Sequence, residues 1–159
     1  MPDPRLPADP EGRAGPPILL VEDDASQALL VERVLARAQL TNPLTAFRRG
    51  DDAIAYLQGS GPFSDRAQYP LPALMLLDVH VPGKSGLEIL GWLREQPALG
   101  HIPVVVLSGS AESEDIDRAY ELGAESYLVK PVAFDALLDT VSSLGLAWTI
   151  LGRANPDGS

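Results

Sequence analysis

The sequence contains no cysteine and only two histidines, His80 and His101. Disulfide bonds, thiolate zinc sites and cysteine nucleophiles are therefore excluded, and so is a metal centre built mainly from histidine. The absence of cysteine is typical of a reducing compartment, and we expect a cytoplasmic protein.

Long apolar runs and an excess of basic charge are also missing. No apolar stretch approaches the roughly 20 residues that span a bilayer, and the N-terminus lacks the apolar segment of a signal peptide. Twelve basic against 22 acidic residues give a net charge of -10, whereas a nucleic-acid-binding module needs a basic face. We therefore expect neither a membrane association nor direct contact with DNA or RNA.

The length and composition predict one domain with tails. The 159 residues, 45% of them hydrophobic, suffice for one core of ordinary size. Residues 1–17 include six prolines and almost no large apolar side chain, so they cannot bury enough surface to offset the entropy of ordering. We predict a proline-rich arm over 1–17, a domain over 18–145 and a C-terminal extension over 146–159.

Within that domain, short apolar runs alternate with amphipathic stretches. The apolar runs predict five strands, over residues 18–21, 44–48, 73–77, 103–107 and 126–129. The amphipathic stretches predict five helices, over residues 25–40, 51–58, 86–95, 112–122 and 133–144. Such alternation is typical of an α/β fold, a doubly wound, flavodoxin-like five-stranded parallel sheet flanked by five helices.

Polar side chains follow four of the predicted strands. The acidic run Glu22–Asp24 follows the first, Asp78 the third, Ser108 the fourth and Lys130 the fifth. Each of them alone is easily explained as a helix cap, a turn residue or a surface charge. Together they indicate a functional site, because the carboxyl ends of parallel strands meet at one edge of the sheet, and ligands bind at that edge.

These residue types favour phosphoryl chemistry. Carboxylates about 5 Å apart repel by roughly 3 kcal/mol at an effective dielectric near 20, so a cation is needed among them. Oxygen ligands with water-accessible positions favour Mg²⁺. A carboxylate, Mg²⁺, a lysine and a hydroxyl can receive a phosphoryl group, because the carboxylate attacks while the cations stabilise the charge on the equatorial oxygens.

Four motifs at this edge resemble the response-regulator receiver domains of two-component signalling. The resemblance covers residues 18 to about 144, in the order and spacing of that family. The motifs are VEDD at 21–24, LLD at 76–78 followed by Pro82 and Gly86, VVLSGS at 105–110 and YLVKP at 127–131.

The resemblance implies an acceptor and a metal site. Asp78 would be the phospho-acceptor, Asp23 a direct Mg²⁺ ligand and Glu22 a ligand acting mainly through water. The backbone carbonyl of His80 would complete the metal site. Asp24 lies one place beyond the acidic pair of the family, and we interpret it as a helix-start residue.

The resemblance also implies the groups around the phosphoryl oxygens. Ser108 and Lys130 would contact these oxygens, Tyr127 would be the switch aromatic, and the peptide bond before Pro131 would be cis. His80 departs from the smaller or polar residues common at its position, and we interpret it either as a modulator of phosphoryl lifetime or as a loop residue without effect. Val81 replaces the usual methionine.

Further segments resemble the small receiver-only regulators that accompany bacterial phytochromes. This implies a sensor histidine kinase as partner, of phytochrome type, and no enzymatic activity beyond self-phosphorylation and self-dephosphorylation. With fifteen residues after Leu144, we expect no output domain. The segments are the loop 59–72, IPVVVLSGS at 102–110, AYELGAESYLVKPV at 119–132 and LAWTILGR at 146–153.

The apolar run 144–151 predicts a homodimer. It continues past the last predicted helix with almost no charge, and such an apolar surface is typical of an interface. Relatives associated with phytochromes commonly pair, and Trp148 would lie against the partner chain. The alternative is a tail that folds back over its own domain.

Three other functions stay open at this level. An aspartate-nucleophile phosphatase of the haloacid dehalogenase type would need a second acid where His80 stands. A flavodoxin-like electron carrier would place its phosphate beside a repelling acidic cluster. A degenerate receiver could serve as a protein-interaction scaffold, although its full set of site residues argues against this.

Overall fold

Five parallel strands form one sheet in the order β2-β1-β3-β4-β5. The structure is a computed structural model, and it describes residues 16–37, 42–131 and 133–143. The strands are β1 (Ile18–Val21), β2 (Leu44–Phe47), β3 (Leu74–Asp78), β4 (Val104–Ser108) and β5 (Ser126–Val129). This confirms the predicted five-stranded parallel sheet.

Five α-helices connect and follow the strands, as predicted. They are α1 (Ala25–Arg37), α2 (Gly50–Gln58), α3 (Gly86–Arg94), α4 (Ser113–Glu121) and α5 (Phe134–Ser143). The residues predicted to extend the first helix to 40 and the fifth to 144 lie outside the described part of the chain.

Two of the predicted strands end one residue too early. Asp78 pairs with Leu107, and Ser108 pairs with Val129, so both polar residues belong to the ladder. A polar residue after an apolar run is typical of the start of a loop. The strand continues here because backbone hydrogen bonds between strands do not depend on the type of side chain. The two side chains are therefore held by rigid strands.

The helices cover both faces of the sheet, which has one buried cluster on each side. On one face, sheet residues pack with α2, α3 and α4: Leu19, Val21, Met75, Leu77, Val104 and Val106. On the other, sheet residues pack with α1 and α5: Ile18, Leu20, Leu74, Leu76, Val105 and Leu107. Successive strand side chains point to opposite faces, so an apolar run without polar alternation becomes a strand buried on both sides.

The strand order marks a position beside β1 where a ligand site is expected. The chain passes from β1 to β2 on one side and returns to β3 on the other, so the direction of winding reverses between β1 and β3. In open α/β sheets, ligands bind outside the carboxyl ends of the strands at this reversal. Glu22 and Asp78 stand there.

The loop 59–72 carries packed structure of its own. It contains a 3₁₀ turn at Gly61–Phe63, and the rings of Phe63 and Tyr69 pack edge to face with centroids 5.2 Å apart. The Tyr56 hydroxyl of α2 donates to the Pro70 carbonyl at 2.7 Å. The loop is thus docked on α2, which its many breaker residues did not indicate.

The end of the predicted N-terminal arm contacts the domain. The Ala73 N–H donates to the Pro17 carbonyl at 2.9 Å, and Asn42 Nδ2 donates to the Pro16 carbonyl at 3.0 Å. Residues 1–15 and the extension 146–159, with Trp148, lie outside the described residues, so the division into three parts stays a prediction. Within the described ranges, no helix is both long and apolar enough to cross a bilayer.

Candidate functional site

Three carboxylates converge at the carboxyl ends of β1 and β3. Glu22 and Asp23 follow β1, Asp78 ends β3, and one oxygen from each lies within 4.8 Å of the others. Glu22 and Asp78 are only 2% and 6% exposed, and Asp23 is half-buried. The structure therefore brings together the three carboxylates that the sequence predicted.

Lys130 joins this cluster from the end of β5. Its ammonium group donates to Glu22 Oε1 at 2.5 Å and to Asp78 Oδ2 at 2.9 Å. The Lys130–Pro131 peptide bond is cis, as the sequence resemblance implied. One half-buried cation thus neutralises part of the charge of two buried carboxylates.

Burial and proximity separate the proton affinities of these groups. Burial, together with the adjacent Asp78, raises the pKa of Glu22 to about 7. Burial alone would raise the pKa of Asp78 as well, but hydrogen bonds from Glu22, Lys130 and the His80 N–H lower it below its ordinary value of 3.8. Burial would lower the pKa of Lys130, yet the two carboxylates raise it. At neutral pH, Asp78 is therefore an anion and Lys130 a cation.

The loop after β3 closes tightly over Asp78. The His80 N–H donates to Asp78 Oδ1 at 3.0 Å, while the His80 side chain is exposed. Gly86 begins α3 against this loop, and a Cβ there would lie 2.3 Å from the Asp78 carbonyl oxygen. Only glycine permits that approach, so the motif glycine fixes the direction in which the loop leaves β3.

Ser108 and Tyr127 form a second polar group near β4. Ser108 is 1% exposed, and its hydroxyl accepts from the Ser110 N–H at 3.1 Å. The Tyr127 hydroxyl donates to the Ser110 carbonyl at 2.9 Å. Ser110 thus links the predicted hydroxyl to the predicted switch aromatic.

Asp24 starts helix α1, as predicted. Its Oδ1 accepts from the backbone N–H of Ser26 at 2.8 Å and of Gln27 at 3.3 Å. This is the hydrogen bonding of an N-cap residue, which satisfies donors that have no partner within the helix. Asp24 is thereby distinguished from the acidic pair beside it.

Arg48 is a neighbour of the site that sequence reasoning missed. Its Nη2 donates to the backbone carbonyl of Asp23 at 3.0 Å. The available signal was a basic residue directly after β2, the strand beside β1. The predicted second strand includes Arg48, whereas β2 ends at Phe47, so the sequence pattern does not place Arg48 at a strand end.

The donor set fits a hard divalent cation. The converging ligand atoms are all carboxylate oxygens, and one lysine neutralises only part of their charge. Oxygen ligands of this kind suit Mg²⁺ or Mn²⁺ rather than a thiolate-seeking metal. A cation here would reduce the repulsion among the three carboxylates.

The family model of the response regulator receiver domain matches residues 18–142 of this chain. The chain therefore belongs to the response regulator receiver family. Phosphorylation on an aspartate and binding of a divalent metal in an acidic pocket are general to that family. The family assignment and the flavodoxin-like fold drawn from the sequence are both confirmed.

Among its relatives are regulators associated with phytochromes. Response regulator Rcp1 of Synechocystis sp. is 37% identical over 131 residues, which cover 82% of this chain and 87% of Rcp1. The bacteriophytochrome response regulator RtBRR is 39% identical with a TM-score of 0.78, covering 90% of this chain and 86% of RtBRR. Phosphorylated RcpA, a cyanobacterial phytochrome response regulator, is 33% identical with a TM-score of 0.70, covering 87% of this chain and all of RcpA.

A metal-bound structure of one relative is also similar. The Mn²⁺-bound form of Rcp1 has a TM-score of 0.70 and 34% identity, covering 89% of this chain and 99% of Rcp1. The matches support a signalling role, and they favour a receiver over the phosphatase and electron-carrier alternatives.

Proposed function

We propose that this protein is a phosphorylation switch of two-component signalling in which Asp78 accepts a phosphoryl group from a sensor histidine kinase. The observation that carries the proposal is the buried anionic Asp78 carboxylate, which lies beside two further acids and 2.9 Å from the Lys130 ammonium. This arrangement offers a nucleophile together with a cation for the transferred charge.

The transfer exchanges one bond to phosphorus for another. A carboxylate oxygen of Asp78 forms the new P–O bond, the P–N bond to the kinase histidine breaks, and the leaving imidazole retains the electron pair. Ser108 donates a hydrogen bond to the phosphoryl oxygens, and Lys130 shifts its ammonium from the carboxylates toward them. Both contacts hold the acyl phosphate in place.

Glu22, Asp23, Asp78 and the backbone carbonyl of His80 would hold Mg²⁺. When bound, Mg²⁺ supplies positive charge that neutralises the incoming phosphoryl oxygens. Glu22 would contribute mainly through water, as the resemblance to the family implies. These ligand roles follow the family pattern at matching positions.

The proposed kinase is of phytochrome type and acts in the cytoplasm. Support comes from the relatives, since RcpA and RtBRR are both described as phytochrome response regulators. Acidic net charge argues against DNA as the target, so the proposed output is a protein contact rather than an enzymatic product. A receiver that serves only as a scaffold would not require the full set of acids and lysine.

The central test is replacement of the acceptor by its amide. Asp78→Asn removes the nucleophile while preserving shape, so radiolabel transfer from a phytochrome-type histidine kinase, or from acetyl phosphate, should be lost. Asp52→Asn is the matched control, because Asp52 is an exposed carboxylate in the first turn of α2. It should be labelled like the wild type, and labelling of both should need Mg²⁺. Wild-type labelling of Asp78→Asn would contradict the proposal.

We also propose a homodimer formed through the apolar run 144–151, with Trp148 against the partner chain. Trp148→Ala should shift the protein toward monomer in sedimentation velocity, because large buried aromatics dominate interface energies. A wild-type chain that stays monomeric at tens of micromolar, with and without beryllofluoride, would refute this assembly.

A further inference from the structure

The corner between β2 and α2, residues 48–50, contacts the loop that carries Glu22 and Asp23. The Glu22 N–H donates to the Phe47 carbonyl at 2.9 Å. The Arg48 guanidinium donates to the Asp23 carbonyl at 3.0 Å. The peptide groups on both sides of the acidic pair are therefore tied to the end of β2.

The same corner contacts the loop that leaves Asp78. The Gly50 N–H donates to the Pro82 carbonyl at 3.0 Å, in the middle of the loop between β3 and α3. Gly50 is buried, and a Cβ there would lie 2.0 Å from the Lys84 carbonyl oxygen. No other residue fits without displacing the loop, which also contains His80.

The corner thus joins two loops that have no common strand. Lys130 orients Glu22 and Asp78, but its ammonium bonds do not include Asp23. The hydrogen bond from Arg48 to the Asp23 carbonyl instead fixes the peptide group between Asp23 and Asp24. Metal ligands need positions accurate to a few tenths of an ångström, and loss of supporting hydrogen bonds typically weakens binding about 10- to 100-fold.

We propose that Arg48 and Gly50 are positioning residues that set the affinity of the acidic cluster for its divalent cation. The inference rests on the proposed function, because it assumes that Glu22, Asp23 and the loop of His80 hold that cation. Arg48 has no role in the chemistry itself. It acts through the Asp23 backbone, and Gly50 acts through the loop of Pro82 and Lys84.

The direction in which Mg²⁺ affinity changes when Arg48 is removed distinguishes a positioning role from a purely electrostatic one. Arg48 is a cation near a cation site, so a purely electrostatic role predicts that its removal strengthens metal binding, most strongly at low ionic strength. A positioning role predicts the opposite, because the Asp23 peptide loses its anchor. The two effects therefore cannot be confused.

The experiment measures Mg²⁺ dissociation constants by calorimetry and records Mn²⁺ electron paramagnetic resonance spectra. Arg48→Ala should weaken Mg²⁺ binding about 3- to 10-fold, which is less than the usual effect of supporting residues because Arg48 is exposed. Arg48→Lys, which keeps the charge and one donor group, should recover part of the loss. The Mn²⁺ spectrum of Arg48→Ala should broaden, while the metal-free unfolding midpoint should stay close to wild type.

Arg49→Ala is the matched control. It removes the same charge from the adjacent position, but its guanidinium pairs with the exposed Asp51 at 3.3 Å. Its Mg²⁺ affinity should equal or slightly exceed that of the wild type. If Arg48→Ala behaves like Arg49→Ala, the role of Arg48 is refuted.

A second pair of variants tests Gly50. Gly50→Ala should weaken Mg²⁺ binding at least about 10-fold, since the loop must move to admit the methyl group. Gly91→Ala should leave it unchanged, because the added Cβ would meet only a Leu122 methyl at 3.6 Å. If Gly50→Ala does not fold, the Arg48 series decides the proposal.

Mg²⁺ binding by Asp23→Asn shows whether a negative result concerns the metal site itself or only the positioning role. Asp23→Asn should abolish Mg²⁺ binding if the acidic cluster is the metal site. A wild type that binds no Mg²⁺, or an Asp23→Asn variant that binds it normally, would refute the site itself. Loss in Asp23→Asn with unchanged binding in Arg48→Ala and Gly50→Ala would refute only the positioning role.

Discussion

Glu22 and Asp78 are two buried carboxylates that share one ammonium group. Such a cluster is costly, because each charge loses hydration and the carboxylates repel each other. Replacing such a cluster by well-packed apolar residues is often neutral or stabilising in proteins, and strongly perturbed pKa values are typical of functional sites. Hydrogen bonds from Glu22, Lys130 and the His80 N–H keep Asp78 ionised, while burial makes Glu22 retain its proton more readily.

Metal binding should depend on pH through Glu22. Its pKa is about 7, and a protonated carboxyl group is a poor ligand and leaves less negative charge at the site. A proton must leave as the cation binds, so Mg²⁺ affinity should rise with pH and be about tenfold weaker at pH 6 than at pH 8. Calorimetry in buffers of different ionisation enthalpy measures both the affinity and the proton released.

Glu22→Gln is the control for this pH dependence. The amide cannot titrate, so the variant should bind Mg²⁺ more weakly and with a flat profile between pH 6 and pH 8. A wild-type affinity that is constant over this range would contradict the role assigned to Glu22.

At the scale of elements, the loop 59–72 is stabilised by one arginine. Arg66 Nη1 donates to the carbonyls of Tyr56 and Tyr69 at 2.8 and 3.1 Å, and its Nη2 donates to that of Leu57 at 2.5 Å. The side chain therefore ties the end of α2 to the loop beyond the 3₁₀ turn. Ordering a long loop of this kind costs conformational entropy, which these hydrogen bonds help to offset.

Arg66→Met should loosen this loop. It keeps most of the apolar stem but removes the guanidinium donor from three carbonyl groups, of which that of Tyr56 still accepts from the Gly59 N–H, and this should lower the free energy of unfolding by about 1–3 kcal/mol. Hydrogen exchange should accelerate in residues 57–70 and remain unchanged in the central strands. Arg33→Met on the exposed face of α1 is the control, with an expected change within about 0.5 kcal/mol. Equal effects of the two variants would show that Arg66 does not hold the loop.

At the scale of the whole molecule, Ser110 connects the proposed phosphoryl site to β5. Its N–H donates to Ser108 and its carbonyl accepts from Tyr127, so a movement of Ser108 also displaces the partner of Tyr127. Hydrogen bonds to charged groups contribute roughly 1.5–3 kcal/mol each, and a shift from 1:99 to 99:1 requires about 5.5 kcal/mol. Lys130 would exchange its existing bonds to Glu22 and Asp78 for bonds to the phosphoryl oxygens, so a new bond from Ser108 would supply only part of this free energy.

Phosphorylation should therefore alter the environment of Tyr127. In protein labelled with fluorotyrosine, beryllofluoride with Mg²⁺ should shift the ¹⁹F resonance of Tyr127. The resonance of Tyr56 should stay in place, because that ring is buried against the loop 59–72 and its hydroxyl is bound to Pro70. Ser108→Ala should greatly reduce the Tyr127 shift. An unchanged Tyr127 resonance in the wild type would refute this coupling.

Local sequence patterns predict the order of strands and helices along the chain and most residues of the site. Apolar runs and helical periodicity are local, so they could be located without the fold. Because the carboxyl ends of parallel strands meet at one edge of the sheet, the strand pattern also predicts that Glu22, Asp23, Asp78 and Lys130 lie together. The motif spacing added the family, which the comparisons confirmed.

Tertiary structure alone decided which residues support that site. The strand order puts the end of β2 beside β1, and only this neighbourhood brings Arg48 to Asp23 and Gly50 to the loop after β3. Local sequence patterns also do not predict that Arg66 holds the loop 59–72 against α2. The acceptors in these contacts are backbone carbonyls rather than motif side chains, and any residue offers a backbone carbonyl. Their partners are therefore chosen by the packing of the whole sheet and not by the local sequence.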